Sequence, residues 1–162
     1  MIHLIIGNTG SGKTTYSVEL KGKTNGIIFS IDKWNKTLFL ADKKPNDGLE
    51  WFLERIDRAE EMIMDLIHQL ENSKTDSILD LGLSKFVHRE KFREFANENG
   101  YELKTHFLDI SKQTRFERVM KRNNEKGATF EFEVSNENFE FMESWFEKPT
   151  DEEIIGGVII TE

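Results

Sequence analysis

Residues Gly7–Thr15 read GNTGSGKTT: three glycines, one lysine and three threonines directly behind the apolar run Ile2–Ile6. Gly7–Thr14 satisfies G-x-x-x-x-G-K-[ST] at every fixed position, in the context of strand, loop and helix that gives the pattern its meaning. Gly7, Gly10 and Gly12 permit backbone shapes that a Cβ would block. The amides of Asn8, Thr9, Ser11 and their neighbours can then converge on phosphate oxygens. The following helix, which includes Thr15, adds its positive end. Lys13 can reach terminal phosphates, and the Thr14 hydroxyl can be offered to Mg²⁺. A glycine-rich turn with a surface lysine is the plainer alternative, and the complete motif in its context favours a bound nucleoside triphosphate.

Moving a phosphoryl group requires more than a cradle. It needs a carboxylate for the acceptor hydroxyl, a second anchor for Mg²⁺, and cations over the developing charge. Three acids follow apolar runs: Asp32 in SIDKWN, Asp80 in ILDLGL and Asp109 in FLDIS. Asp32 is the candidate base, with helix capping as its alternative role. Asp80 is a candidate to hold Mg²⁺ through water or to bind substrate; otherwise it closes a strand. Asp109 reads as a helix cap. Arg115, Arg118 and Arg122 stand three and four residues apart and form one stripe, flanked by Lys112, Lys121 and Lys126. Such a basic helix suits a phosphate-clamping lid, with Arg118 and Arg122 the preferred pair; interspersed Glu117 and Glu125 suit a solvated face instead. Arg89 reads as a surface residue. The histidines show no metal spacing and read as solvated. The aromatic group Phe130, Phe132, Phe139, Phe141, Trp145 and Phe146 reads first as core, with Phe130–Phe141 a possible pocket wall.

The elements that must position these residues follow from periodicity. Ile2–Ile6 and Ile27–Ile31 are continuously apolar and predict buried strands. Ser77–Leu81, Tyr101–Leu108 and Val158–Thr161 complete five strands. Helices are expected over Lys13–Leu20, Lys33–Ala41, Lys85–Asn99 and Ser135–Glu147, and from Ser111 to about Glu125, ended by Gly127. The longest starts at Leu49 and carries Phe52, Leu53, Ile56, Ile63, Leu66, Ile67 and Leu70 on one face. Lys43–Gly48 is a turn cluster, and Gly127–Val134 a loop or lid connection. Strands alternating with helices predict an α/β fold with a parallel sheet covered on both faces, all within one domain of residues 1–162 whose lid spans roughly 111–134.

The chain has 162 residues, 37% hydrophobic and 32% charged, which suits a globular domain. It has no cysteine, so disulfides, thiolate metal sites and cysteine catalysis are excluded. The formal net charge of -8 disfavours a broad surface for long nucleic acid. Ile2–Ile6 is too short for a signal-peptide core, and no run approaches the ~20 residues of a membrane helix. A soluble, cytoplasmic protein is expected.

GNTGSGKTT, FSIDKW, ILDLGLS, HFLD, RFERVMKRN and FEKPTDEE occur in the order of a family of small bacterial P-loop proteins described as ATP-binding proteins or kinases, and the sequence resembles that family over nearly its whole length. The family is similar to chloramphenicol phosphotransferase, the zeta toxins and the polynucleotide 5′-kinases. The resemblance implies a three-layer P-loop NTPase fold of adenylate-kinase type, with the loop strand central. It implies Asp32 as base and Arg118 and Arg122 as lid arginines, with adenine near the last strand beside EKPTDEE. No acceptor-reading motif carries over. NKTL at Asn35 lacks the Asp of a guanine-reading N-K-x-D. The expected activity is transfer of the γ-phosphoryl group of Mg²⁺–ATP to a hydroxyl of a small molecule. A 5′-hydroxyl polynucleotide kinase and an ATP-binding switch are the alternatives.

Overall fold

The computed structural model describes residues 1–126, 130 and 133–162. Gly127 and Phe132, and parts of the expected lid and of the Gly127–Val134 connection, lie outside the described residues. Five strands form one sheet: β1 (Ile2–Ile6), β2 (Ile27–Ser30), β3 (Ser77–Asp80), β4 (Leu103–Leu108) and β5 (Val158–Ile160). Their order is β2-β3-β1-β4-β5, and every pairing is parallel. β1 is buried along its whole length because it has a strand on each side and helices over each face. β2, expected to be buried, is instead an edge strand, with Ile27 45% exposed. Apolar content alone does not distinguish an edge from a centre.

Among the described residues, seven helices connect or follow the strands: α1 (Lys13–Lys23), α2 (Ile31–Trp34), α3 (Leu49–Asn72), α4 (Phe86–Glu98), α5 (Lys112–Glu125), α6 (Asn136–Trp145) and α7 (Asp151–Ile154). α2 continues through a π-turn at Asn35–Phe39 and a 3₁₀ turn at Leu40–Asp42, so the single helix expected over Lys33–Ala41 is a run of three helical forms. Ser111 caps α5 and Ser135 caps α6 through their side chains. Asp109, expected as a cap, instead meets Lys148 at 2.8 Å. Gly100 has φ 67 just past α4, the left-handed stop its position suggested. α7 was not foreseen, although Thr150 and Glu153 form a capping box that TDEE spells out. Among the described residues, no helix is long and apolar enough to cross a membrane.

Alternation along the strands sorts the core into two layers. Ile2, Leu4 and Ile6 of β1 pack with Ile63 and Ile67 of α3 and Phe92 and Ala96 of α4. Ile5 points the other way, with Ile78, Leu108 and the α1 residues Tyr16 and Leu20. A third cluster, Val119, Val134 and Phe139, joins α5 to α6.

The face under α1 also holds a polar chain. The Tyr16 hydroxyl lies 2.7 Å from His106 Nδ1, His106 Nε2 lies 3.0 Å from His3 Nδ1, and His3 Nε2 lies 3.2 Å from Asp76 Oδ2. Donors run in one direction, from Tyr16 to Asp76, when both imidazoles are neutral. His3 and His106 are therefore buried network members rather than solvated residues. Burial, then His3 and Lys104, push the His106 pKa down to about 4. A depressed histidine contributes stability that is present above its unfolded value of 6.5 and lost as pH falls toward about 4. His106→Asn, which removes the titrating group, should flatten the loss of stability between those pH values, measured by urea denaturation across the range.

Candidate active site

The phosphate-type loop turns where the chain order reverses in the sheet, between β3 and β4, which is where ligands bind in open parallel folds. Two glycines are required there. Gly10 has φ +81, and a Cβ on it would sit 2.5 Å from the Arg115 carbonyl oxygen, so no side chain fits where the loop meets α5. Gly12 has φ +95 and ends the loop as the N-cap of α1.

The loop borders a cleft of about 440 Å³, within the ordinary range of small-molecule sites. Gly7, Thr9, Gly10, Gly12, Lys13, Thr14 and Thr15 line it. Asn8 and Ser11, whose amides belong to the same loop, are buried. The Lys13 ammonium donates to the Gly7 carbonyl at 2.8 Å. Burial lowers its pKa, and Asp80 and Asp32 oppose that shift. Thr14 Oγ1 donates to Asp80 Oδ2 at 2.9 Å. The two oxygens make a hard pair at the end of β3, beside the loop. No group of three or more His, Cys, Asp or Glu side chains able to hold a metal occurs among the described residues.

Asp32 lines the same cleft. Ser30 pairs with Asp80 in the β2–β3 register, so the carboxyl ends of the two strands lie side by side. Asp32 is not the cap of α2: that position belongs to Ser30, and Asp32 is the second residue of the helix.

The arginine stripe divides. Arg118 and Arg122 line the cleft. Arg118 Nη1 approaches the Ser11 carbonyl at 3.4 Å, and Arg122 Nε is buried without a hydrogen-bond partner. A buried donor of that kind is costly unless a ligand satisfies it. Arg115 is 7% exposed and pairs with Glu143 of α6, with Nη2 to Oε2 at 3.0 Å. It also donates to the carbonyls of Thr9 (3.2 Å) and Ile110 (2.9 Å). Glu143 Oε1 accepts from Arg115 Nη1 and from Asn8 Nδ2 as well. One carboxylate thus ties loop, α5 and α6 together. Glu143→Ala should leave the buried Arg115 without its carboxylate partner, lower stability by about 1–3 kcal/mol, and speed amide exchange at Thr9 and Gly10. Unchanged exchange at those amides would show that the loop does not depend on this tie.

One expectation fails here. Arg89 is not a surface residue: it is fully buried and pairs with Glu153, Nη2 to Oε2 at 3.2 Å. Burial alone would raise the Glu153 carboxyl, but the guanidinium and the Thr150 amide hold it below its ordinary value. The EKPTDEE segment straps α4. Glu147 accepts from the Phe86 amide at 2.7 Å, and Arg89 Nη1 donates to the Glu147 carbonyl at 2.9 Å. From α6, Phe141 lines the cleft, as the pocket-wall reading of Phe130–Phe141 allowed, while Asn138 and Met142, which line it too, went unremarked in the sequence. The only hint was the aromatic run. It divides between Phe139, fully buried, and Phe141, 47% exposed in the cleft wall.

The sequence profile of the AAA domain family matches residues 2–149. The chain belongs to the AAA domain family. No curated protein matches its sequence. Among solved structures, Chaetomium thermophilum Kti12 in complex with ADP-AlF3 superposes at a TM-score of 0.72, with 16% identity over 99% of this chain and 89% of that one. A gluconokinase from Sinorhizobium meliloti gives 0.63 at 16% identity over 98% and 81%. The Mycobacterium tuberculosis APS kinase in complex with AMPPNP and APS gives 0.63 at 17% identity over 99% and 87%. This member of the AAA domain family has the α/β P-loop NTPase fold that these structures share, kinases among them.

Proposed function

We propose that the chain is an ATP-dependent phosphotransferase that moves the γ-phosphoryl group of Mg²⁺–ATP to a hydroxyl of a small-molecule acceptor. One observation carries this reading: Asp32 shares a single cleft with Lys13, the Thr14–Asp80 pair, Arg118 and Arg122. Lys13 and the loop amides hold the β- and γ-phosphates, the lysine exchanging its Gly7 carbonyl for phosphate oxygen. Thr14 and Asp80 would hold Mg²⁺, which neutralises charge on the phosphates when bound. Asp32 orients the acceptor hydroxyl and takes its proton. Arg118 and Arg122 face the charge that spreads over the transferring group, a role worth about 10³–10⁵ in rate where it has been measured. The gluconokinase and APS kinase likenesses support the reaction class, and the complexes with AMPPNP and ADP-AlF3 support the nucleotide.

A second reading, nucleotide hydrolysis without an acceptor, draws support from the likeness to Kti12, whose structure is a nucleotide complex. A polynucleotide 5′-kinase is disfavoured by the net charge of -8.

The test is transfer of labelled γ-phosphate from Mg²⁺–ATP to pools of nucleosides and nucleotide sugars, hydroxyl-bearing antibiotics and 5′-hydroxyl oligonucleotides. Label should enter a small-molecule pool and disappear in Lys13→Ala, which should lose nucleotide binding. Label in free phosphate alone, from every pool, would favour hydrolysis.

A further inference from the structure

Leu83 adopts φ 33, and Gly82 before it φ 82. Two successive positive values make a left-handed turn one residue beyond Asp80, where β3 ends. Glycine takes this shape freely, but a bulky side chain seldom does. A residue so placed persists only where its surroundings hold it, and such residues gather at functional sites. This turn belongs to the cleft: Gly82 and Ser84 line it together with Asp32 and Asp80. β3 lies between β2, which leads into Asp32, and β1, which leads into the phosphate loop. The turn therefore leaves the sheet between the candidate base and the phosphate cradle.

Three successive carbonyls of the turn are tied. Gly82 O accepts from the Ser84 hydroxyl at 3.2 Å, Leu83 O from Arg89 Nη1 at 3.2 Å, and Ser84 O from the Glu147 amide at 2.8 Å. The Leu83 side chain is buried in the core layer that holds α3 and α4. Arg89 is central to this arrangement, because its planar fork of donors serves two purposes at once. Nε and Nη2 meet the two Glu153 oxygens, which fixes the plane of the guanidinium. Nη1 is left for Leu83 O and, at 2.9 Å, for Glu147 O. Glu147 in turn holds the Ser84 carbonyl through its amide and the Phe86 amide through its carboxylate. Apolar side chains of similar volume often replace a buried ion pair without loss of stability. They cannot supply a donor to a strained backbone.

We propose that Arg89 is a positioning residue for phosphoryl transfer, holding the Gly82–Leu83 turn as the cleft wall between Asp32 and the phosphate loop. The proposal rests on the phosphotransferase reading. Arg89 is fully buried and acts through the Leu83 carbonyl rather than on a reactant. Without that grip the turn relaxes toward ordinary φ values and the wall shifts. Alignment suffers more than nucleotide binding, because the phosphate loop is braced separately, through Asn8 and Arg115 on Glu143. A misplacement of about 1 Å is enough to cost about 10²-fold in rate.

The experiment separates grip from stability in the full chain. Arg89→Met combined with Glu153→Leu replaces the buried pair and offers no donor to Leu83 O or Glu147 O. It should recover most of the stability that Arg89→Ala loses, read by urea denaturation, and bind Mg²⁺–ATP within about twofold of the parent. Its transfer of labelled γ-phosphate to pooled nucleosides, nucleotide sugars, hydroxyl-bearing antibiotics and 5′-hydroxyl oligonucleotides should still run about 10–100 times slower. Amide exchange at Phe86 and Glu147, whose N–H groups hold the turn, should quicken about tenfold, while Thr9 keeps the parent rate. Glu147→Ala loosens the same turn from its other end, at a side chain 48% exposed. It should slow transfer about threefold or more with ATP binding unchanged. Parent-like transfer in the folded double variant would overturn the proposal and leave the phosphotransferase reading standing. So would a fall in ATP binding as large as the fall in transfer, the mark of general damage to the fold. If the double variant does not recover its fold, Glu147→Ala decides, and parent-like transfer by it overturns the proposal. ATP binding by the parent with no label in any pool would overturn both.

Discussion

Asp32→Asn should bind ATP with a KM within about twofold of the parent and transfer phosphate about 10²–10⁴ times more slowly, the usual contribution of a positioned base. The substitution keeps the shape of the side chain and removes its ability to take a proton. Stability should move far less than transfer, because the substitution is isosteric and Ser30, not Asp32, occupies the cap position of α2. A carboxylate in the first turn of so short a helix contributes only about 0.3–1 kcal/mol through the helix dipole. Steady-state kinetics with the acceptor, alongside thermal melting, separates the outcomes. Loss of transfer with a melt that moves little is the expected pattern. Full transfer would remove Asp32 from the mechanism. An equal fall in stability and activity would return it to a purely structural role. The variant also separates transfer from hydrolysis: if the chain only hydrolyses ATP, Asp32→Asn should turn over at the parent rate.

Arg89→Ala should lower stability by about 3–5 kcal/mol, a large share of the roughly 5–15 kcal/mol available to a folded domain. The guanidinium is fully buried and satisfies both Glu153 oxygens and the carbonyls of Leu83 and Glu147. Its removal strands a carboxylate that is only 3% exposed, together with two carbonyls. The desolvation cost of that charge, rather than the attraction lost, sets the magnitude. Arg89→Met combined with Glu153→Leu should therefore recover most of the loss, because replacing a whole buried pair by apolar side chains is often neutral. Urea denaturation of both single variants and the double variant measures the coupling directly. Single and double variants that destabilise additively would show that the pair does not act as a unit. The melting temperature of Arg89→Ala should fall by about 6–20 °C.

The sequence alone determined the elements that depend on local chemistry. β1 and the loop behind it were legible because a continuous apolar run followed by G-x-x-x-x-G-K-T has few other uses. The Ser111 cap, the Gly100 stop and the amphipathic face of α3 depend on residues within a few positions of each other. So does the α/β alternation, and from it the carboxyl-edge placement of Asp32 and Asp80. Boundaries that moved did so for tertiary reasons: Ile31 reads as strand but starts α2, buried there at 3% exposure.

Only the tertiary structure decided which charges work inside the protein. Arg115, Arg118 and Arg122 are indistinguishable as a helical stripe. Glu143, 28 residues beyond Arg115, takes it into a buried pair and leaves the other two at the cleft. Arg89 looks like any surface arginine until Glu153, 64 residues on, meets it. His3 and His106, apart by 103 residues, become buried neighbours through the β1–β4 pairing. Phe141 differs from Phe139 only in which side of α6 it occupies, and α6 is placed by contacts to α5 and the loop. A side chain's charge and shape are local properties, but its solvation and its partners are set by residues far along the chain. Burial and pairing, and with them the side chains left free to meet a ligand, are therefore decided when distant segments pack.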